Sequence, residues 1–529
     1  MENNQKTEVL IIGAGPVGLL LANFLGAYGV KTLVLEKNPT YEIEPRAVSI
    51  DDESLRSLQF IQLAEIFKQQ VVLGYGVQYY DWQNKPLAEI KPNTQDYGYP
   101  KRNAFRQPDL VKLLVDNLKN YPSVKLLFQH QLLSIDQNDD QVVCQVQTGE
   151  QQDIHVQADW MVGCDGGKSR TRELIKAKLE GQTYPQKWLI VDLAERQCSL
   201  RHTQTFCDPV RPAIRLPGPN RTLRYEFMLH ENDDDQHVLK EAVFRDWIRQ
   251  RRSIDADLPL VRKAVYSFHA RTASLWQQNR VLLAGDAAHL TPPFAGQGLN
   301  SGIRDVTNLA WKLAGVLKWN LPDSLINTYE IERKPHAAAL IKMALQIGTF
   351  MQPKSKWSAF WMQNTLRTAC LISPVKDYIL QLKFKPKPHF PKGWFISKRH
   401  HEQAELIPQP YVQDQTGKVA LLDDYLGQNF AVVSWASESF CNDIKKFIPP
   451  NVPITYIALI NQDEDFISQE CTNNFILLRD CHGVIEKIFK KHQAVAMIIR
   501  PDRYSYNMLT AQELQASVVD NPHFNTAFA

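Results

Sequence analysis

Two glycine-rich turns constrain this chain more than any other feature, because each stands between an apolar strand and a helix. The first follows Val9-Leu10-Ile11-Ile12 and reads Gly13-Ala14-Gly15-Pro16-Val17-Gly18. The second follows Arg280-Val281-Leu282-Leu283-Ala284 and begins Gly285-Asp286-Ala287-Ala288-His289. It continues through Leu290, Thr291, Pro292, Pro293, Phe294, Ala295, Gly296, Gln297, Gly298, Leu299 and Asn300 into an amphipathic helix carrying Asp305, Leu309, Trp311 and Leu313. Glycine permits the tight turn and the close backbone approach, and the helix that follows points its free amides at an anion.

Residues 9–12, 15–27 and 32–36 read as strand, helix and strand, a βαβ unit that closes on Glu36. A carboxylate there accepts hydrogen bonds from an adenosine ribose and repels a 2′-phosphate. Asp286 is expected to reach ribityl hydroxyls, and the amides after Gly296-Gln297-Gly298 to face a flavin pyrimidine ring. Pro292 and Pro293 lack backbone donors and leave carbonyls beside the reactive edge. The two motifs therefore describe one extended dinucleotide held at both ends, which points to noncovalent FAD. A third transition, Asp165-Gly166 with Ser169 and Arg172, offers further donors for the pyrophosphate.

The 529 residues suggest several domains. Net charge is +3, too small to imply nucleic acid or a membrane surface, and no apolar run is long enough to span a bilayer. The eight cysteines contain no CxxC, so a disulfide framework or a metal site is not expected and a reducing cytoplasm fits. The expected architecture is α/β. A Rossmann-like FAD-binding domain spans residues 1–180 and 270–385, with a sheet-built substrate domain inserted at 181–269. A proline-rich, basic linker at 386–400 then leads to a small α/β domain at 401–529.

In this order the three motifs resemble the single-component FAD-dependent aromatic hydroxylases of the para-hydroxybenzoate hydroxylase type, over roughly residues 7–380. The resemblance is closest to 3-(3-hydroxyphenyl)propionate hydroxylases. It is carried by Glu44-Pro45-Arg46-Ala47-Val48-Ser49-Ile50-Asp51-Asp52-Glu53, by Phe206-Cys207-Asp208-Pro209-Val210-Arg211-Pro212 and by Tyr225-Glu226-Phe227-Met228-Leu229. The last domain resembles the thioredoxin-like C-terminal domain of phenol hydroxylase relatives. Cys441 stands alone there, without the CxxC pair that thiol redox work requires.

The resemblance implies that Gly13, Gly15, Gly18 and Glu36 hold the ADP half of FAD. It implies that Arg46, Gln107, Asp165 and Gly166 contact the middle of the cofactor, and that Asp286 holds the ribityl chain. Pro293 would turn its carbonyl to the reactive edge, and Gly298, Leu299 and Asn300 would present amides to the pyrimidine. Leu299 replaces a methionine common in relatives, a volume-conserving change. Arg215 and Tyr225 are candidate substrate-binding residues in the inserted sheet, where Arg211 and His269 also lie. His289 reads as a packed structural residue.

The implied activity is hydroxylation of a phenolic aromatic acid with NADH or NADPH and O2, in a protein that could form a homodimer. Other aromatic substrates, a flavin oxidase and a non-catalytic flavin-fold binding protein remain open alternatives. The Trp-x-Trp-x-Ile-Pro signature of halogenases is absent.

Overall fold

The computed structural model describes residues 4–41, 47–194, 200, 202–217, 222–353, 355–396, 404–436, 451–461, 466 and 475–515. Arg46 and Cys441 lie outside the described residues.

A first sheet runs in the order Gln277–Gln278, Val281–Leu283, Asp153–Gly163, Asn4–Ile12, Thr32–Glu36 and Val124–Phe128. The four pairings from Val281–Leu283 to Val124–Phe128 are parallel. Val9, Leu10, Ile11, Val34, Leu282 and Leu283 are all buried, without alternation. That pattern belongs to a parallel sheet covered on both faces. Register then does something no single motif can. Ile12 pairs with Gly163, and Gly163 with Leu283, so the three turns that follow these strands emerge side by side at one carboxyl edge. Such an edge is where open α/β sheets bind ligands.

The second sheet runs His289–Leu290, Leu260–Ala273, Leu179–Ala194, Thr222–Met228, Ala213–Pro217, His202–Phe206, Gly76–Tyr80 and Pro86–Ile90. The inserted segment 181–269 supplies only part of it. Gly76–Tyr80 joins from the N-terminal half by pairing parallel with His202–Phe206, and Pro86–Ile90 closes the edge. A strand exposes one edge until it is paired, and that partner here comes from over a hundred residues away in the chain, so no local pattern announced it.

The C-terminal sheet has the order Val419–Leu421, Tyr411–Asp414, Ile476–Asp480, Ile454–Ile460, Phe430–Trp435, Ala496–Ile499 and Ser505–Leu509. Its three central strands are parallel, and the last two are antiparallel.

The segment expected to be a solvated linker is instead part of a core. Phe390 and Trp394 are almost wholly buried with Trp311, Phe430 and Tyr506, and Phe390 stacks on Tyr504 with ring centroids 4.1 Å apart. The proline-rich composition sets an extended backbone, while the aromatic residues between the prolines supply the burial. At the same seam Glu332 accepts two hydrogen bonds of 2.8 Å from Arg500, one of 2.8 Å from Lys312, one of 2.7 Å from Asn308 and one of 2.8 Å from the Trp394 amide. Arg500 also donates to Asp502 at 3.0 Å. Burial would raise the Glu332 carboxyl, but Arg500 and Lys312 hold it well below the usual carboxylate range. A second clamp joins Arg56 and Arg503 through Asp423, at 2.7–3.0 Å.

Glu332→Gln is expected to lower stability by about 3–5 kcal/mol, because it leaves Arg500 and Lys312 buried with too little countercharge. A depressed carboxyl stabilises the fold above its unfolded pKa of 4.5, and that contribution is lost as pH falls below this value. Wild-type stability should therefore drop on acidification through that range, and Glu332→Gln should show a shallower drop. Equal acid sensitivity of the two proteins in thermal unfolding would rule out this anchor.

Candidate active site

The three turns at the carboxyl edge open into one cavity of about 1670 Å³ that runs from Glu36 to Met351, between the two large sheets. Gly13 has φ +104°, and a Cβ there would meet the Cys164 carbonyl oxygen at 2.6 Å. A Cβ on Gly18 would strike the Gly13 carbonyl oxygen. The first turn thus packs directly against the strand end that leads into Asp165, whereas a Cβ at Gly15 or Gly166 would meet nothing within 4 Å. Those two face the open cavity.

Glu36 accepts hydrogen bonds from the amides of Ala14 and Asn38, both at 2.9 Å, which fix its carboxylate at the cavity wall. Gln107 is buried and accepts from the Ala47 amide at 2.8 Å. Asp165 points both carboxylate oxygens into its own turn, accepting from the Ser169 hydroxyl and from the Thr171 amide and hydroxyl at 2.9 and 3.0 Å. Its side chain shapes the loop, and Gly166 and Gly167 are left to face the cavity. Arg172 donates to the Gly167 carbonyl at 2.7 Å and the Ala287 carbonyl at 3.0 Å, which joins the second and third turns.

Asp286 is exposed toward the cavity. The turn that carries it is held from behind: Asp305, fully buried, accepts from the Gly285 amide at 3.1 Å, from His289 Nε2 at 2.7 Å and from Arg333 at 3.1 Å. His289 is also fully buried and stacked on Trp276. It makes no contact with the cavity.

Two helices end at this cavity without a capping side chain. Pro16–Ala27 begins at Gly15, and Gly298–Trp319 begins at Gln297. Some other helix starts are capped, by Asp51 on Asp52–Phe60 and by Ser355 on Lys356–Ala369, while Glu241–Arg251 and Ser324–Met351 also start without a side-chain cap but away from the nucleotide turns. Uncapped amides leave a positive dipole end open to a ligand. A dinucleotide fits this arrangement, with its pyrophosphate at the first helix and an electron-accepting ring at the second.

Leu299 and Gly298 line the cavity at the second helix start. The Asn300 side chain is turned away and buried, accepting from the Asp51 amide at 3.0 Å and the Ser54 hydroxyl at 2.7 Å, and donating to the carbonyls of Ser49 at 3.2 Å and Gly296 at 2.7 Å. Gly296 has φ +62°, and a Cβ there would collide with the Ser49 hydroxyl. One helical turn later Arg304 pairs with Glu53 at 2.7 Å and with Asp51, and Lys385 pairs with the same two carboxylates at 2.8 and 3.0 Å. Burial pushes the neighbouring Asp52 carboxyl up to about 7. Sequence reasoning missed this network. Its signal was there in Asp51-Asp52-Glu53 next to apolar residues, since consecutive carboxylates that are buried require partners.

Across the cavity from the second helix start lies one face of the second sheet. A row of paired residues crosses five strands: Ile190, Glu226, Ile214, Thr205 and Tyr79. All five line the cavity. Burial raises the Glu226 carboxyl above its ordinary range. Phe294, Met351 and Ile347 close the apolar compartment, together with Val77 and Ile90. His269 and Arg224 also line it, and Arg224 is paired with Asp192 at 2.8 and 3.1 Å.

Arg215 and Tyr225 do not reach this compartment. They alternate with Ile214 and Leu216, and with Arg224 and Glu226, so their side chains take the opposite face of the sheet. There both bind Asp255, Arg215 at 2.7 Å and the Tyr225 hydroxyl at 2.6 Å. Tyr225 is fully buried and stacked on Phe227. Arg211 is likewise engaged away from the cavity, with Asp233 and the face of Trp247.

Comparison with known proteins agrees with this geometry. Residues 6–344 match the family model described as FAD binding domain, and residues 404–521 match the model described as HcaD C-terminal domain. The chain is 34% identical over 515 residues to the 3-(3-hydroxy-phenyl)propionate/3-hydroxycinnamic acid hydroxylase of Shigella sonnei (strain Ss046), covering 95% of this chain and 91% of that protein. The protein of that name from Escherichia coli O81 (strain ED1a) matches to the same extent. Among solved structures, the flavin-dependent monooxygenase PieE, in complex with FAD and substrate, superposes with a TM-score of 0.77 at 18% identity over 95% of each chain. Aklavinone-11 hydroxylase, in a ternary complex with FAD and aklavinone, gives 0.77 at 19% identity over 96% of this chain and 97% of that one. These two likenesses are of fold. The extended cavity, its paired helix starts and the match over most of the chain lead to one assignment: the chain belongs to the FAD binding domain family, among the FAD-dependent aromatic hydroxylases.

Proposed function

We propose that this chain is an FAD-dependent monooxygenase that hydroxylates a phenolic aromatic acid such as 3-(3-hydroxyphenyl)propionate. The overall reaction consumes the phenol, O2, NADH or NADPH and a proton, and yields the hydroxylated phenol, the oxidised nicotinamide and water. The observation that carries this reading is a single cavity with nucleotide-type turns at one end and an apolar, aromatic-lined compartment at the other.

When bound, FAD accepts a hydride and activates O2. The residues around it bind and orient. Gly13, Gly15 and Gly18 let the backbone approach the pyrophosphate, and Glu36 takes the adenosine ribose. Gly166 would lie along the middle of the cofactor, with Gln107 bracing the Ala47 backbone. Asp286 takes the ribityl hydroxyls. The amides of Gly298, Leu299 and Asn300 stabilise negative charge on the pyrimidine ring, and Pro293 turns a carbonyl toward the reactive edge. Phe294, Tyr79, Ile214 and Met351 hold the substrate ring and exclude water.

The C-terminal domain is read as a thioredoxin-like module without chemistry, docked through Glu332 and Arg500. We infer a cytoplasmic enzyme, consistent with cysteines scattered without a paired motif, and among the described residues no helix is long and apolar enough to cross a membrane. A homodimer is the assembly proposed.

Asp286→Ala should weaken FAD binding roughly 10- to 150-fold, the scale for losing a charged hydrogen-bond partner. Acid denaturation of the wild type should release all its flavin. Unchanged FAD affinity in titration, or flavin left on the denatured chain, would contradict this placement of the cofactor.

A true substrate should convert NAD(P)H to hydroxylated product nearly one for one, while non-substrate analogues should stimulate oxidation and release hydrogen peroxide. The reason is that oxygen reaches an aromatic carbon only when an electron-rich ring is positioned in a site closed to water. Labelled dioxygen should appear in the product. If no phenolic acid acquires the label, the monooxygenase reading fails. If only other aromatic compounds acquire it, the substrate class alone is wrong.

A further inference from the structure

Four of the cations that line the cavity are paired with carboxylates. Arg224 is paired with Asp192, Lys385 with Asp51 and Glu53, Arg170 with Glu173, and Lys101 with Asp96. Arg102 differs. Its Nε is enclosed and makes no hydrogen bond, and no described carboxylate lies within ion-pair distance of the guanidinium. Lys37 and Lys168 are cavity-lining cations too, but both are exposed; Arg262 donates to the Tyr266 hydroxyl, and Arg271 lies at the sheet edge opposite Leu290.

The position of Arg102 is set by backbone pairing. Its carbonyl accepts from the Tyr75 amide at 2.9 Å, and the next residues, Asn103–Ala104, pair with Ser49–Ile50. It therefore stands where the strand Gly76–Tyr80 enters the second sheet, beside Tyr75 and Tyr79. This is the apolar compartment, which also contains Val77, Ile90, Phe294 and Met351. Arg102 is half-buried with its Nε enclosed, so its guanidinium is incompletely hydrated and an anion that joins it is favoured; burial lowers its pKa here. A planar fork in an aromatic-walled compartment is suited to a carboxylate whose hydrocarbon portion packs on the wall.

We propose that Arg102 binds the carboxylate of the aromatic substrate and so selects arylalkanoic acids over neutral phenols. The assignment deepens the monooxygenase reading and rests on it for the identity of the ligand. Arg215, the arginine that the strand pattern favoured, already has its carboxylate in Asp255. Arg102 has none, and the ligand supplies it.

The test compares 3-(3-hydroxyphenyl)propionate with its neutral alcohol analogue, 3-(3-hydroxyphenyl)propan-1-ol. Binding is read from perturbation of the flavin absorbance in the FAD-loaded full chain. Wild type should prefer the acid. Arg102→Met should weaken acid binding roughly 10- to 150-fold, the range for losing a hydrogen bond to a charged group, and leave alcohol binding within about twofold. Arg102→Lys, which keeps the charge and loses the fork, should fall between them.

Equal weakening of acid and alcohol would overturn the assignment. So would a wild type that binds the alcohol as tightly as the acid, or binds neither. If both variants lose FAD or fail to fold while Asp286→Ala still folds, Arg102 serves the cofactor or the fold, and the assignment is again overturned. Because the comparison reads binding alone, it separates from the reaction: acid bound selectively through Arg102 but never hydroxylated would refute the monooxygenase reading and uphold the carboxylate site.

Discussion

The site depends on the helix Gly298–Trp319 being held rigidly from inside the protein, through two adjacent residues with opposite charges. Arg304 reaches Asp51 and Glu53, and Asp305 reaches Gly285, His289 and Arg333. Adjacent positions on a helix point about 100° apart, so the pair ties the helix to two different neighbours. One tie positions the segment that follows Ser49, and the other positions the turn that carries Asp286. If either tie loosened, the uncapped amides at Gly298 would no longer face the cavity at a fixed place. Buried charge of this kind contributes little net stability, but removing one partner is severely destabilising. Such a network works as a constraint on geometry.

The same logic extends to the C-terminal domain. Asn308 and Lys312, on that helix, contact Glu332, which is bound by Arg500 from the last sheet. One helix therefore begins at the cavity and, further along, anchors a domain none of whose described residues lines the cavity. Trp311 packs in the aromatic cluster at this seam, with Trp394 and Phe430 at centroid distances of 5.6 and 5.5 Å. Just before the docked segment, Lys385 closes the charge balance of Asp51 and Glu53.

The cavity itself divides by chemistry. At the nucleotide end, specificity is carried by backbone: glycine turns and open helix starts, with few side chains. At the other end it is carried by side chains on a pleated sheet, where adjacent residues face opposite ways. Backbone sites tolerate little substitution, because a Cβ at Gly13 or Gly296 would collide with its neighbours. The sheet face can exchange Ile214, Thr205 or Tyr79 while keeping its pairing. This division separates a constant cofactor from a variable substrate.

The βαβ unit, the three strand-ending turns and the uncapped helix at Gly298 were legible from the residues alone, because local rules govern them: buried parallel strands are continuously apolar, and tight turns need glycine. Residue order also brought Asp286 and Glu36 forward as cavity residues, and both line the cavity. What the sequence could not determine were properties that arise from pairing distant segments. The recruitment of Gly76–Tyr80 into the second sheet depends on a strand edge left open by His202–Phe206. The facing of Arg215 and Tyr225 away from the cavity depends on strand parity in a sheet whose two sides both mix buried apolar and polar residues, so polarity gave no sign of which side was which. The burial of Phe390 and Trp394 depends on a domain docked over them. Arg102 shows the limit most plainly: in the sequence it is one arginine among many, and only the fold leaves its Nε enclosed and no described carboxylate within ion-pair distance.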